Sequence, residues 1–121
     1  MTVTLPYPPT TNHAYLVARG RKIKTTKARA YAEEVMWRVA DEMRVDADGG
    51  WPTRDDRLAV SITVFPPDRR KRDLANLEKL AVDAACKQLG VDDSQIDRLT
   101  LERAPVDRKN PRLVLTLEAI S

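Results

Sequence analysis

Apolar residues recur at every fourth position in one long stretch of the chain, which is the spacing of an amphipathic helix. The stretch runs from about Thr26 to Arg44, and Thr25 or Thr26 can cap its first turn. We therefore predict a long first helix, whose apolar face is formed by Tyr31, Val35, Val39 and Met43. Trp37 lies within this helix, and packing in the core or in a dimer interface is its expected role.

A second helix is predicted from about Leu74 to Leu89, and Gly90 ends it. One face of this helix is an apolar stripe formed by Leu74, Leu77, Ala81, Ala84 and Ala85. Another face is polar and carries Asn76, Lys79 and Asp83. The stripe indicates that this helix, like the first, packs against the rest of the domain.

Other stretches alternate apolar and polar residues with a period of two, which predicts strands. They are Thr2–Leu5, Leu58–Val64, Leu99–Arg103 and Leu113–Glu118. A hairpin is predicted around Gly20, between Tyr15–Val17 and Lys22–Lys24. This order of elements predicts an α+β fold with a mixed β-sheet and the two main helices packed largely on one face.

Length and composition are those of one globular domain spanning residues 1–121. Hydrophobic residues make up 42% and charged residues 32% of the chain, which excludes a disordered or fibrous protein. No apolar run is long enough to cross a bilayer and Met1–Pro6 lacks the zones of a signal peptide, so we expect a cytoplasmic protein. Cys86 and His13 are the single residues of their types, which argues against a disulfide or a zinc site; we expect a half-buried thiol.

The basic residues are clustered, although the net charge is only +3. The clusters are Arg19, Arg21, Lys22, Lys24, Lys27 and Arg29; Arg69, Arg70, Lys71 and Arg72; and Arg108, Lys109 and Arg112. Any one of them is compatible with solvated surface charge. Three in one small domain favour a nucleic-acid partner, because lysine and arginine neutralise phosphates.

Carboxylates accompany the second basic cluster. Asp73 stands at the start of the second helix, and Asp92 and Asp93 follow the end of that helix. Acids brought together by the fold can hold Mg²⁺ with waters and phosphate oxygens, and nearby cations can neutralise charge while a phosphodiester is cut. A structural interpretation is also open, in which Asp73 caps the helix and the later aspartates form a polar loop. Lys79 and Asp83 would then be a surface ion pair.

Several segments occur in a fixed order: Leu-Pro-Tyr-Pro-Pro at 5–9 with Asn12, Pro-Asp-Arg-Arg-Lys-Arg-Asp-Leu-Ala-Asn-Leu at 67–77, Lys79, Asp83, and Gly-Val-Asp-Asp-Ser-Gln at 90–95. In order, spacing and length they resemble the RusA family of Holliday junction resolvases over nearly the whole chain. The resemblance implies a homodimeric, Mg²⁺-dependent endonuclease of bacteria or their phages. Such an enzyme nicks four-way DNA junctions symmetrically in recombination and repair.

The family's middle motif reads Arg-Asp-Leu-Asp-Asn, and its two aspartates act with a helix lysine and with the second aspartate of a later pair. The resemblance therefore implies that Asp73, Asp93 and Lys79 form the catalytic cluster. Asp73 and Asp93 would bind the magnesium ion, with Asp92 assisting. The expected DNA-binding residues are Arg69, Arg70, Lys71 and Arg72, together with Arg19, Arg21, Lys22, Lys24 and Lys27.

Ala75 departs from the motif, because the family has its second aspartate at this position. A methyl group cannot bind a cation, so we expect the chain to bind branched DNA and to cleave it poorly. Alanine favours helix, so folding should not suffer. A substitution made to disable cleavage and a natural loss both explain it, and the otherwise complete motif favours the first. The competing hypothesis is a non-catalytic protein that binds branched DNA or RNA.

Overall fold

The computed structural model describes residues 1–9, 15–18, 21–45, 50–71 and 74–120, with the backbone alone for 15–18, 21–24 and 75–77. Every predicted helix and strand is present, with ends that shift by up to three residues. The elements are β1 (Thr2–Pro6), β2 (Tyr15–Ala18), β3 (Arg21–Lys24), α1 (Thr26–Val45), β4 (Arg57–Phe65), α2 (Ala75–Leu89), a 3-10 turn (Asp93–Gln95), β5 (Ile96–Arg103) and β6 (Arg112–Ile120). The 3-10 turn is an element that the sequence analysis did not predict.

A mixed sheet organises the domain. Its strand order is β1-β6-β4-β5, in which β4 and β5 are parallel and the other pairs are antiparallel. The helix α2 connects the two parallel strands, as a crossover between parallel neighbours requires. The strands β2 and β3 form a separate antiparallel hairpin, as predicted. The expected α+β fold with a mixed sheet and two main helices is confirmed.

The core lies between the two helices and one face of the sheet. Its buried members include Val3, Leu5, Val35, Val39, Leu58, Val60, Ile62, Val64, Leu113, Leu115 and Leu117. Alternate strand residues such as Thr4, Ser61 and Glu118 are exposed, because successive side chains of a strand point to opposite faces. The apolar face of α2 is wider than predicted, since Leu80 and Val82 are also buried.

Two side chains differ from their expected environments. Cys86 is 3% exposed rather than half-buried, and burial raises the pKa of its thiol to about 11. Trp37 is 69% exposed, so the prediction that it packs in the core of this chain is wrong. Its role in a dimer interface stays a prediction. Trp37 lies between the buried positions of α1, and a residue two places from Val35 points away from the core.

Local hydrogen bonds fix the helix ends. The amide of Ala28 donates to the Thr25 hydroxyl at 3.3 Å, which makes Thr25 the predicted cap of α1. Gly90 ends α2 in the left-handed conformation at φ 77°, and the following Val91 amide donates to the Cys86 carbonyl. The Tyr31 hydroxyl donates to the Pro6 carbonyl at 2.8 Å and so ties α1 to the end of β1.

In the described part of the chain, no helix combines the length and apolar character that a membrane span requires.

Candidate nuclease site

The carboxyl ends of three strands meet at one edge of the sheet. The strands β4 and β5 are parallel, and β1 runs the same way because both β1 and β4 are antiparallel to β6. The segments that follow β4 and β5 are joined there, since the Ala104 amide donates to the Val64 carbonyl and the Asp107 amide to the Pro66 carbonyl, each at 2.8 Å. This edge therefore gathers side chains from distant parts of the sequence.

A cavity of about 490 Å³ opens at this edge. We call it the arginine cavity, because Arg69, Arg70 and Arg103 line it. Its other walls are Tyr7, Val64, Pro66, Asp68, Leu74, Ala104, Pro105 and Val106. Arg69 and Arg70 belong to the predicted DNA-binding cluster, whereas Arg103 was not identified from the sequence. An exposed arginine at a strand end carries no distinctive local signal.

A second cavity, of about 380 Å³, lies along α2. We call it the acidic cavity, because Glu78 and Asp83 of α2 line it together with Asp93 and Asp97. Lys79, Val82, Ile96 and Leu99 complete its wall. The fold therefore brings Lys79 and Asp93, two of the residues predicted to be catalytic, to one cavity. Their catalytic roles stay a prediction.

The negative charge of the acidic cavity affects the pKa of Glu78. This side chain is only partly exposed, and burial raises the pKa of its carboxyl. The negative charges of Asp83 and Asp93 raise that pKa further, while the Lys79 ammonium lowers it. Carboxylates that repel one another across a partly buried cavity create a negative potential, which a cation would relieve.

The two cavities are neighbours along α2. Leu74, just before the helix, lines the arginine cavity, and Glu78 in its first turn lines the acidic cavity. Four helical residues span about 6 Å. Both cavities thus reach the start of α2, but Asp93 and Asp97 of the acidic cavity lie at the amino end of β5, whereas Arg103 of the arginine cavity lies at its carboxyl end.

Asp92 lies outside the acidic cavity that Asp93 lines. Its carboxylate accepts hydrogen bonds from the Ser94 hydroxyl at 3.0 Å and the Ser94 amide at 3.5 Å, and so caps the 3-10 turn. Hydrogen bonds led by the one from the Ser94 side chain hold the pKa of Asp92 below its ordinary value. Asp92 lines a separate surface cavity with Arg54 and Lys87. Assistance to a metal ion by Asp92 stays a prediction.

Gln95 was missed by the sequence analysis, although it positions the turn that carries Asp93. It is 7% exposed, and its amide nitrogen donates to the carbonyls of Thr53 at 2.9 Å and Asp56 at 2.8 Å. Its amide oxygen accepts from the Asp92 amide at 2.9 Å. Asp92 and Gln95 thus form a capping box, and their three-residue spacing is a signal that could have found it.

Replacing Gln95 with leucine is expected to lower the free energy of unfolding by about 2 kcal/mol, because it leaves partly buried backbone groups without their partners. Urea denaturation monitored by circular dichroism measures the change. Gln88→Leu is the matched control, because Gln88 is a partly exposed glutamine on α2, and it should change stability by less than about 0.5 kcal/mol. Equal losses in both variants would contradict a positioning role for Gln95.

The remaining predicted residues are spread over the domain. Lys71 and Lys27 are exposed, and Arg21, Lys22 and Lys24 belong to β3 of the hairpin. Ala75 is the first residue of α2. Asn12, Arg19, Arg72 and Asp73 lie outside the described residues, so the proximity of Asp73 to Asp93 stays a prediction. In the third basic cluster, Arg108 and Lys109 are exposed. The guanidinium group of Arg112 instead forms an ion pair with the Asp107 carboxylate at 2.8 Å, and its central carbon lies 3.8 Å from the centre of the Phe65 ring.

The acidic cavity has the donor chemistry that Mg²⁺ prefers. Its polar lining consists of carboxylates and one lysine, and Mg²⁺ is bound through oxygen, commonly by one or two carboxylates with waters and phosphate oxygens. Among the described residues, no three acidic, histidine or cysteine side chains are close enough to hold a metal by themselves. The cavity thus fits an ion that takes the rest of its coordination from water and phosphate oxygens.

The chain is similar to known proteins over almost its whole length. Residues 6–118 match the family model described as Endodeoxyribonuclease RusA. The crossover junction endodeoxyribonucleases RusA of Escherichia coli strain K12 and of Shigella sonnei strain Ss046 are each 35% identical over 117 residues, covering 96% of this chain and 92% of the relative. The corresponding protein of Enterobacteria phage 82 is 34% identical over 116 residues, covering 95% and 91%. The similarity therefore extends almost from end to end.

Proposed function

Because the chain belongs to the RusA endodeoxyribonuclease family, we propose that it is a Mg²⁺-dependent nuclease that binds four-way DNA junctions and nicks them symmetrically. The observation that supports this best is that Lys79 and Asp93 line one cavity, the acidic cavity. The two residues come from a helix and from a turn after that helix.

The proposed roles follow from the chemistry of each group. Asp73 and Asp93 hold the magnesium ion, which when bound supplies Lewis-acid stabilisation and an activated water. Lys79 places an ammonium group where negative charge accumulates on the phosphate oxygens as the bond is cut. Asp92, which caps the turn next to Asp93, acts by holding that turn in place.

The junction arms are held by their phosphates. Arg69 and Arg70 line the arginine cavity and Lys71 is exposed beside them, so this segment presents cations at the carboxyl ends of β4 and β5. Phosphate contacts set register without reading bases. Arg72 and the first cluster, Arg19, Arg21, Lys22, Lys24 and Lys27, extend the proposed DNA-binding surface.

We propose a homodimer as the working assembly. Two symmetric nicks require two equivalent sites related by a twofold axis, which two copies of one chain provide. Each copy would bring its own acidic cavity to one of two opposed strands.

We also propose that the chain as it stands cleaves junctions slowly. Ala75 removes one anionic ligand, so the ion is held less tightly and less accurately, while the cations that bind DNA are unaffected. The expected phenotype is junction binding near normal strength with a reduced rate of hydrolysis.

Metal dependence tests the proposed function. With excess protein, a labelled synthetic four-way junction and Mg²⁺, we expect slow paired nicks at symmetric positions. EDTA should abolish the nicks and leave junction binding in a mobility-shift assay intact. Raising the salt should weaken binding to linear duplex more than binding to the junction, because non-specific binding is the part carried by phosphate contacts alone. Equal binding to both DNAs at raised salt, with no metal-dependent nicks even from Ala75→Asp, would favour a non-catalytic protein.

A further inference from the structure

We infer that Glu78 contributes a carboxylate to the metal site in place of the one that Ala75 lacks. The inference rests on the proposed function and adds a residue to it. Glu78 belongs to neither the predicted catalytic cluster nor the predicted DNA-binding set.

Helix geometry brings position 78 next to position 75. Both residues belong to α2, and residues three apart lie on the same face, with Cβ atoms about 5–6 Å from each other. Long side chains of a helix point back toward its N-terminus and cover the turn before their own Cα. A glutamate at position 78 is therefore able to reach the turn that contains position 75.

The surroundings of Glu78 are those of a group in the site. It lines the acidic cavity with Asp93 and Lys79, and it is partly buried, unlike a solvated glutamate on a helix surface. Asp93 lines the same cavity, so the two carboxylates face a common space and repel each other there. A divalent cation between them would turn this repulsion into attraction.

The other acids of the cavity are less suitable. Asp83 is eight residues beyond position 75, which places it about 12 Å further along the helix axis. Asp97 is paired with Arg57, whose Nε lies 3.1 Å from both of its carboxylate oxygens. The cavity of about 380 Å³ can also hold a hydrated ion, since six waters occupy about 180 Å³.

Metal binding without DNA tests the inference independently of cleavage. Isothermal titration calorimetry with Mn²⁺, which shares the octahedral oxygen chemistry of Mg²⁺, is expected to show an affinity at least about tenfold weaker for Glu78→Gln. The neutral isostere keeps the size of the side chain, and thermal melting checks that the fold is intact. Glu118→Gln is the matched control, because Glu118 is an exposed glutamate on β6, and its affinity should equal that of the unmodified chain.

A rescue variant completes the experiment. If Glu78 stands in for the missing aspartate, the double variant Ala75→Asp with Glu78→Gln should regain Mn²⁺ affinity and junction cleavage that Glu78→Gln alone has lost. Unchanged Mn²⁺ affinity in Glu78→Gln, including no measurable binding before or after the change, overturns the inference. The proposed function is judged separately by Ala75→Asp: paired nicks from that variant keep the nuclease assignment even when the role of Glu78 is wrong.

Discussion

Replacing Ala75 with aspartate is expected to raise the single-turnover rate of junction cleavage by about 100-fold or more, the scale on which one preorganised electrostatic group acts. The change returns an anionic ligand at the first residue of α2, one turn before Glu78. A metal ion held by one more carboxylate is both more often bound and better oriented. The measurement uses saturating protein and Mg²⁺ on a labelled four-way junction, so that neither binding nor product release limits the rate.

The fold should tolerate this substitution. An aspartate in the first turn of a helix interacts favourably with the helix dipole, which offsets the lower helix propensity of aspartate relative to alanine. Ala75→Asn is the matched control, because it has the same size without the charge and should give little increase. In the absence of metal, the aspartate variant should bind the junction slightly more weakly, since it adds a negative charge facing phosphates. A rate for Ala75→Asp no higher than that of Ala75→Asn would contradict the placement of the metal site.

Local patterns in the sequence were sufficient to predict the helices and strands of the fold. The recurrence of Tyr31, Val35 and Val39 at every fourth position correctly predicted α1, because those residues form its buried face. Alternation correctly predicted β4, whose Leu58 and Val60 enter the core. In both cases the signal is the periodic recurrence of apolar residues. Any element that packs one face on a core and leaves the other in water shows this pattern.

The site could be predicted only where the resemblance provided the residues. The meeting of Lys79 with Asp93 depends on α2 lying against the turn before β5, and that depends on the parallel pairing of β4 with β5. Such pairing joins residues about 40 positions apart and leaves no local pattern. For the same reason the partial burial of Glu78 and the arrival of Arg103 at the arginine cavity could not be predicted. Both follow from tertiary packing.

Removing the ammonium group of Lys79 is expected to slow cleavage far more than it weakens binding. In the Ala75→Asp background, Lys79→Ala should reduce the single-turnover rate by about 100- to 1000-fold, as the loss of one preorganised group that stabilises the transition state does. Lys79 is exposed and lines the acidic cavity, where its proposed role is to face the reacting phosphate. Its interaction strengthens as negative charge develops during hydrolysis, so the junction dissociation constant should change by less than about threefold.

Lys87→Ala in the same background is the matched control for this variant. Lys87 is an exposed lysine on the same helix, two turns further along, and it lines the separate cavity with Gly90 and Asp92. Its loss removes the same charge from the protein, so any general weakening of DNA attraction should appear in both variants. A large rate loss confined to Lys79→Ala supports a catalytic residue. Equal, salt-dependent losses of binding in both variants, with the saturated rate unchanged, would instead make Lys79 one more phosphate contact, because a counterion effect lowers affinity without raising the barrier to hydrolysis.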